Sequence, residues 1–162
     1  MKNPAHELAL TGIMLAGSYL VYYFSQIFRV APNIIPLTIP LALFLLKRRH
    51  ALLFSLAFFL LLTVSGFLSK AAGFFFLLLI PVAFGRFSEN KKKMVLLIIF
   101  AGSLGFWTVY SFFSFLLPAF FTAKLSLVFL LFLLYTFAIQ IYNLILSLVY
   151  ARIKNYIGRD KK

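Results

Sequence analysis

Long, uninterrupted runs of apolar residues alternate along the chain with short clusters of charged residues. Runs such as LALTGIMLAG and MVLLIIFAGSLGF have no apolar–polar alternation, so they predict helices rather than barrel strands, which alternate over about ten residues. A membrane-spanning helix needs about 20 apolar residues. The pattern predicts an all-α, polytopic transmembrane helical bundle, a single integral membrane domain over 1–162, with six spans at about 8–28, 31–46, 51–68, 71–85, 94–117 and 125–150.

Two of the six predicted spans are short and contain proline. The span 31–46 carries Pro32, Pro36 and Pro40, and the span 71–85 carries Pro81 near its end. Proline is tolerated best in the first turn of a helix, because it has no N–H group to donate. We therefore expect the second helix to start late or to be broken. Four spans are the alternative if both short segments are re-entrant.

The composition strengthens the membrane prediction. Hydrophobic residues make up 64% of the chain, whereas a soluble domain is about 45–50% apolar. The core of a soluble domain of 162 residues could not bury so much apolar surface. In lipid, only helices or closed barrels satisfy every backbone N–H and C=O group. We therefore predict a multi-pass protein of the cell membrane, with the lipid bilayer as its surroundings.

The distribution of Lys and Arg predicts the orientation. With both termini placed in the cytoplasm, only three of the 16 Lys and Arg residues fall in outer turns, namely Arg29, Lys70 and Lys124. Cytoplasmic loops of membrane proteins carry the excess of positive charge. An odd number of spans would place the basic C-terminal tail outside, so the bias favours six spans or four. The net charge of +13 is therefore a topology signal, and no nucleic acid is expected as a partner.

Groups that perform acid–base or metal chemistry are scarce. The acidic residues and histidines all fall in termini, in a loop or at a membrane edge: Glu7, Glu89, Asp160, His6 and His50. The chain has no cysteine. General acid–base catalysis and hard-metal binding both need such groups at the site. We therefore predict that the protein is not an enzyme and needs no metal or cofactor. We interpret Glu7 as an anion that stabilises a helix N-terminus.

Polar and aromatic side chains form stripes on three predicted helices. Those of the sixth helix are spaced by four and three residues, so they share one face. If the stripes converge near the outer half, they form a small pocket of aromatics and amides. The alternative is that they only hydrogen-bond one helix to another. The candidate ligand-binding residues are Gln140, Asn143, Thr136, Trp107, Tyr110, Tyr23 and Gln26.

Small residues recur four positions apart on two predicted helices. Gly12 and Ala16 lie in the cytoplasmic half of the first helix, and Ala101 and Gly105 lie in the fifth. Pairs of this kind let two helices approach closely. Gly12 and Ala16 are therefore candidates for contact with another helix of the chain or with a partner subunit.

A family resemblance rests on three segments: HELALTGIMLAGSYL, PNIIPLTIPLALFLLKRRHALLFSLAF and IPVAFGRFSENKKK. Together they resemble the substrate-binding subunits (S-components) of energy-coupling-factor vitamin transporters, and more closely the related YybS-like membrane proteins. The resemblance implies a six-helix bundle that captures a small molecule from outside. It also implies a separate transmembrane coupling subunit and ABC-type ATPases as partners, since this chain has no Walker motif. The small-residue contact of the family's first helix is matched by Gly12 and Ala16.

A second function remains open. The rod-shape protein MreD has a similar size and span count, and the chain lacks ionisable residues at bilayer depth. A membrane scaffold of cell-envelope or cell-shape machinery, which recruits other proteins without transporting a solute, is therefore the alternative.

Overall fold

The computed structural model describes residues 4–30, 35–88, 90–112 and 125–159. Every regular element in these ranges is helical, so the predicted all-α class is confirmed there. The α-helices are α1 (Pro4–Ile27), α2 (Leu41–Leu45), α3 (Arg48–Val64), α4 (Leu68–Phe74), α5 (Ile80–Gly85), α6 (Lys91–Phe112) and α7 (Leu125–Arg159). A 3₁₀ helix, Ile35–Thr38, precedes α2, and a π-helical segment, Phe75–Leu79, joins α4 to α5.

Four helices are long and apolar enough to cross a membrane. They are α1, the continuous helix Leu68–Gly85 that contains α4 and α5, then α6 and α7. Two of them, α1 and α7, lie at the outside of the bundle. Only 17% of the most apolar stretch of α1, and 11% of that of α7, is buried inside the bundle. The exposed side chains of both helices are mainly leucine, isoleucine, valine and phenylalanine. Such a surface is typical of helices that face lipid.

The helix α3 forms the centre of the bundle. It has 17 residues and therefore rises about 25 Å. Its buried residues recur every three or four positions and form one face: Ala51, Phe54, Ser55, Phe58 and Leu62. The helices α1, α4 and α5 pack around α3, while α6 packs against α5 and α7. Tyr22 of α1 reaches into this core, where its ring and that of Phe58 are edge to face with their centroids 6.0 Å apart.

The bundle has two distinct ends. At the basic end, which contains Glu7, residues 47–50, Arg86 and Lys91, Glu7 pairs with Lys47 and Arg86 Nη1 donates to the Leu46 carbonyl. At the opposite end, Lys70 Nζ donates to Gln26 Oε1. These contacts place the start of α1 beside the α2–α3 connection, and the end of α1 beside the start of α4.

The second predicted span is interrupted, as the prolines indicated. Its apolar helical stretch, Pro36–Leu45, is shorter than a membrane span, and residues 31–34 of the prediction lie outside the described residues. In a 3₁₀ helix the Leu37 carbonyl would accept from residue 40, but Pro40 has no N–H group. The hydroxyl of Tyr142 on α7 donates to this carbonyl instead.

The fourth span is longer than predicted, because its helix starts at Leu68 and is 18 residues long. It passes through Pro81 by way of a π turn, in which the Ile80 N–H donates to the Phe75 carbonyl. Pro81 cannot supply the donor that the Leu77 carbonyl would use in an α-helix. The Tyr135 hydroxyl donates to that carbonyl at 2.9 Å.

The last two spans extend beyond the predicted bounds in the described ranges. The helix α6 starts at Lys91 and is described to Phe112, so the predicted residues 113–117 lie outside the described part of the chain. The helix α7 continues to Arg159, nine residues past the predicted end at 150. Close packing of α6 at Gly105 is confirmed, since a Cβ atom there would lie 2.1 Å from the Phe76 carbonyl oxygen.

Candidate functional site

The predicted ligand residues of α1 contact the turn between α3 and α4. Tyr23 stacks on Tyr19 with ring centroids 5.7 Å apart, and it meets the Phe67 ring edge to face with centroids 6.2 Å apart. Gln26 accepts the hydrogen bond from Lys70. The Tyr19 hydroxyl lies 2.7 Å from the Ser65 hydroxyl. This stripe therefore fastens α1 to its neighbours at the opposite end of the bundle.

The predicted aromatic residues of α6 lie against the first part of α7. The rings of Trp107 and Tyr110 meet edge to face with centroids 5.5 Å apart, and the centroids of the Trp107 and Phe132 rings are 6.1 Å apart. Trp107 remains 42% exposed. Trp107 therefore lies against Phe132, one turn before Thr136 on α7.

The polar face of α7 is directed towards the bundle. The Thr136 hydroxyl donates to the Phe132 carbonyl of its own helix at 2.8 Å. Gln140 Nε2 donates to the Val95 carbonyl of α6 at 3.3 Å. Asn143 is only 3% exposed. This face joins α7 to α6, which is the role expected of amides and hydroxyls between membrane helices.

The three stripes do not meet at one depth. Val95, the partner of Gln140, lies in the second turn of α6, close to the basic end. Gln26 lies beside Lys70 at the opposite end. Five surface concavities in the described ranges have volumes of about 90 to 680 Å³. None of these five is lined by any of the seven candidate ligand residues.

The small-residue pair of α1 lies on the outside of the bundle. Gly12 and Ala16 are both exposed, and a Cβ atom added at Gly12 would meet nothing within 4 Å. No described helix covers this position, so it is open to a second protein or to lipid.

A basic pocket that sequence reasoning missed lies at the basic end. It is a concavity of about 680 Å³. Four cationic side chains contribute to it, together with Glu7, His50 and Tyr150: these are Lys47, Arg48, Arg49 and Arg86. Lys47 precedes α3, Arg48 and Arg49 begin it, and Arg86 follows α5, so the fold joins two basic clusters that are far apart in the sequence. The orientation rule accounted for each cluster separately and gave no reason to pair them.

Arg86 makes two contacts that orient it in the basic pocket. Its Nη1 donates to the Leu46 carbonyl at 2.7 Å, and its guanidinium carbon lies 5.3 Å from the Phe44 ring centre. Burial lowers the pKa of the guanidinium, and Arg48 lowers it further, while Tyr150 raises it. Because arginine starts from a very high pKa, the group keeps its charge.

Glu7 borders the same pocket and is only 13% exposed at its side chain. It pairs with Lys47, and its second carboxylate oxygen lies 3.8 Å from His50 Nε2. The Thr11 hydroxyl oxygen on α1 lies 3.1 Å from His50 Nδ1. Glu7 therefore links α1 to the start of α3, in addition to lying in the first turn of α1 as predicted.

The described residues contain no group of three or more His, Cys, Asp or Glu that could hold a metal ion. Comparisons with family models, with curated proteins and with solved structures found no match for this chain.

Proposed function

We propose that the chain is a six-span membrane subunit with both termini in the cytoplasm. The contacts at the two ends support this count. A re-entrant second segment would leave residue 47 on the side opposite the start of α1, yet Lys47 pairs with Glu7. In the same way, the hydrogen bond from Lys70 to Gln26 supports a full crossing by α3. The positive-inside rule places the basic end in the cytoplasm.

We further propose that it is the solute-binding subunit of an energy-coupling-factor-type uptake transporter, capturing its ligand from the outer side. The observation that carries this proposal is the exposed position of Gly12 and Ala16 on α1. A subunit that borrows ATP hydrolysis from partners must dock onto a membrane-embedded coupling subunit. Small residues on an uncovered helix allow the close approach that such docking needs.

Affinity purification from native membranes tests this proposal. We expect the wild-type chain to recover a coupling subunit and ABC-type ATPases, and the variant Gly12→Leu to lose them. Ala138→Leu is the matched control, because Ala138 is also an exposed small residue, on α7. Equal recovery by both variants would count against docking through α1. Recovery of no ATPase by the wild-type chain would count against the transporter itself.

A membrane scaffold is the second candidate function. It is favoured by the contacts of two predicted ligand residues that bond one helix to another: Gln140 donates to the Val95 carbonyl, and Gln26 accepts from Lys70. Thermal unfolding in detergent, screened over vitamins and their precursors, separates the two functions. Stabilisation by one compound supports solute binding. Recovery of cell-wall or cytoskeletal proteins without any such stabilisation supports the scaffold.

A further inference from the structure

Two concavities meet at the basic end of the bundle. One is the basic pocket. The other is an apolar groove of about 440 Å³ between α1 and α2, which we call the α1–α2 groove; it is lined mainly by Ile13, Met14, Gly17, Ile39, Leu41 and Leu45. Leu45 also lines the basic pocket. The two concavities therefore adjoin at one shared lining residue.

The α1–α2 groove exists because little side-chain volume fills it. The helix α2 has only five residues, so it covers only part of α1. Gly17 presents no side chain, and a Cβ atom added there would meet nothing within 4 Å. In a membrane, such a groove favours acyl chains over water, because eight of its ten lining residues have no polar side-chain group and only Ser18 and Thr38 carry hydroxyls.

The basic pocket is suited to a phosphate group. Three of its four cations are arginines, whose planar guanidinium groups bind phosphate through paired hydrogen bonds. The one carboxylate, Glu7, already pairs with Lys47. Arg86 is held in place by the Leu46 carbonyl and the Phe44 ring. A site that is already ordered loses less conformational entropy when it binds.

We propose that this end of the bundle binds one anionic phospholipid, with its phosphate in the basic pocket and an acyl chain in the α1–α2 groove. A free phosphate would use only the first of the two concavities, and their junction at Leu45 is what favours a lipid. The inference is independent of the proposed transport or scaffold function. It requires only that the basic end lies at a bilayer surface.

Native mass spectrometry of the purified protein in detergent tests the proposal. The probes are phosphatidylglycerol, phosphatidylcholine and glycerophosphoglycerol, which is the headgroup of the first without acyl chains. We expect one phosphatidylglycerol to remain bound at a collision energy that removes phosphatidylcholine. We expect excess glycerophosphoglycerol not to displace it. Displacement would overturn the lipid in favour of a free phosphate compound.

Charge variants test the headgroup site. The double variant Arg48→Gln/Arg49→Gln should bind phosphatidylglycerol roughly tenfold more weakly, because each cation near an anionic headgroup contributes severalfold. The matched control is Lys91→Gln/Lys92→Gln, which removes the same charge from exposed residues that do not line the basic pocket. Equal losses in the two double variants would indicate nonspecific attraction and overturn the proposal.

Glycine variants test the acyl-chain site. Gly17→Leu places a side chain in the α1–α2 groove and should reduce phosphatidylglycerol binding severalfold. Gly73→Leu is the control, since a Cβ atom at Gly73 also meets nothing within 4 Å and Gly73 lines neither concavity. Unchanged binding by Gly17→Leu would overturn the acyl-chain half of the proposal. The glycerophosphoglycerol competition answers the same question with the wild-type chain if a variant fails to fold.

Discussion

Two tyrosines of α7 donate to carbonyls that prolines leave without their usual backbone donor. Tyr135 bonds the Leu77 carbonyl, four residues before Pro81, and Tyr142 bonds the Leu37 carbonyl, three residues before Pro40. The tyrosines are seven residues apart, so they lie on one face of α7. In a bilayer, an unpaired carbonyl costs several kcal/mol. These residues therefore explain how the fold tolerates proline within its helices.

The bond from Tyr135 predicts an energetic coupling to Pro81. Tyr135→Phe removes the donor and should lower the free energy of unfolding by about 1–2 kcal/mol. In the background Pro81→Ala, which restores a backbone N–H, the same substitution should cost less. Unfolding of the four proteins of this double-mutant cycle in mixed micelles measures the difference. A cost of Tyr135→Phe that is the same in both backgrounds would contradict the role we assign to the hydroxyl.

Gly105 gives a second prediction at the scale of one residue. A Cβ atom there would lie 2.1 Å from the carbonyl oxygen of Phe76, and backbone cannot move aside as a flexible side chain can. We expect Gly105→Ala to destabilise the protein by about 1–3 kcal/mol, as overpacking typically does. Gly12→Ala, which meets nothing within 4 Å, serves as the control. Similar unfolding of both variants would show that α6 does not pack this closely on the π-helical segment.

Among the elements, the interrupted helix 35–45 depends most on side chains from elsewhere. The Tyr142 hydroxyl bonds its beginning at Leu37, and the Arg86 guanidinium bonds the carbonyl of Leu46 just after its end. Five residues of α-helix are too few to be stable alone. The segment is therefore held by α7 and by the turn after α5.

This dependence predicts a local effect. Tyr142→Phe should speed hydrogen exchange in residues 35–45 by about threefold to tenfold, the worth of one hydrogen bond within a membrane protein. Exchange in α3 should change little. The control is Tyr156→Phe, since Tyr156 is a 76% exposed tyrosine of the same helix. Exchange that rises across the whole bundle would mean that the bond stabilises the global fold rather than this segment.

Helices and their breaks could be predicted from the sequence, whereas contacts between distant segments could not. Apolar run length predicted the helices, and the prolines predicted that the second helix starts late or is broken. The π turn was not predicted, and neither was the bond from Tyr135 to the Leu77 carbonyl within it, because the two residues are 58 positions apart in the sequence. The basic pocket was missed for the same reason, since 39 residues separate Arg48 from Phe87, whose carbonyl it contacts. Hydrophobic periodicity is local, and these pairings arise only from the packing of whole helices.

At the scale of the whole molecule, polar groups are concentrated at the two ends and between helices, while the outer faces of α1 and α7 are apolar. The core around α3 is filled, with Phe54, Phe58 and Leu62 fully buried. The seven candidate ligand residues lie on three helices, as predicted, but they are distributed over both halves of the bundle rather than converging near one end. The exposed face of α1 and the basic end are therefore better candidates for binding than an outer pocket.

The orientation of the bundle can be measured directly, because the chain has no cysteine and each introduced cysteine is unique. All four chosen positions are exposed: Arg29, Lys70, Lys91 and Lys154. In intact cells, a membrane-impermeant maleimide should label Arg29→Cys and Lys70→Cys, and should label the other two only after permeabilisation. The position 70 distinguishes the span counts, since two re-entrant segments would place it with position 91. Labelling of Lys91→Cys and Lys154→Cys alone in intact cells would reverse the orientation, and with it the leaflet in which the basic end meets lipid headgroups.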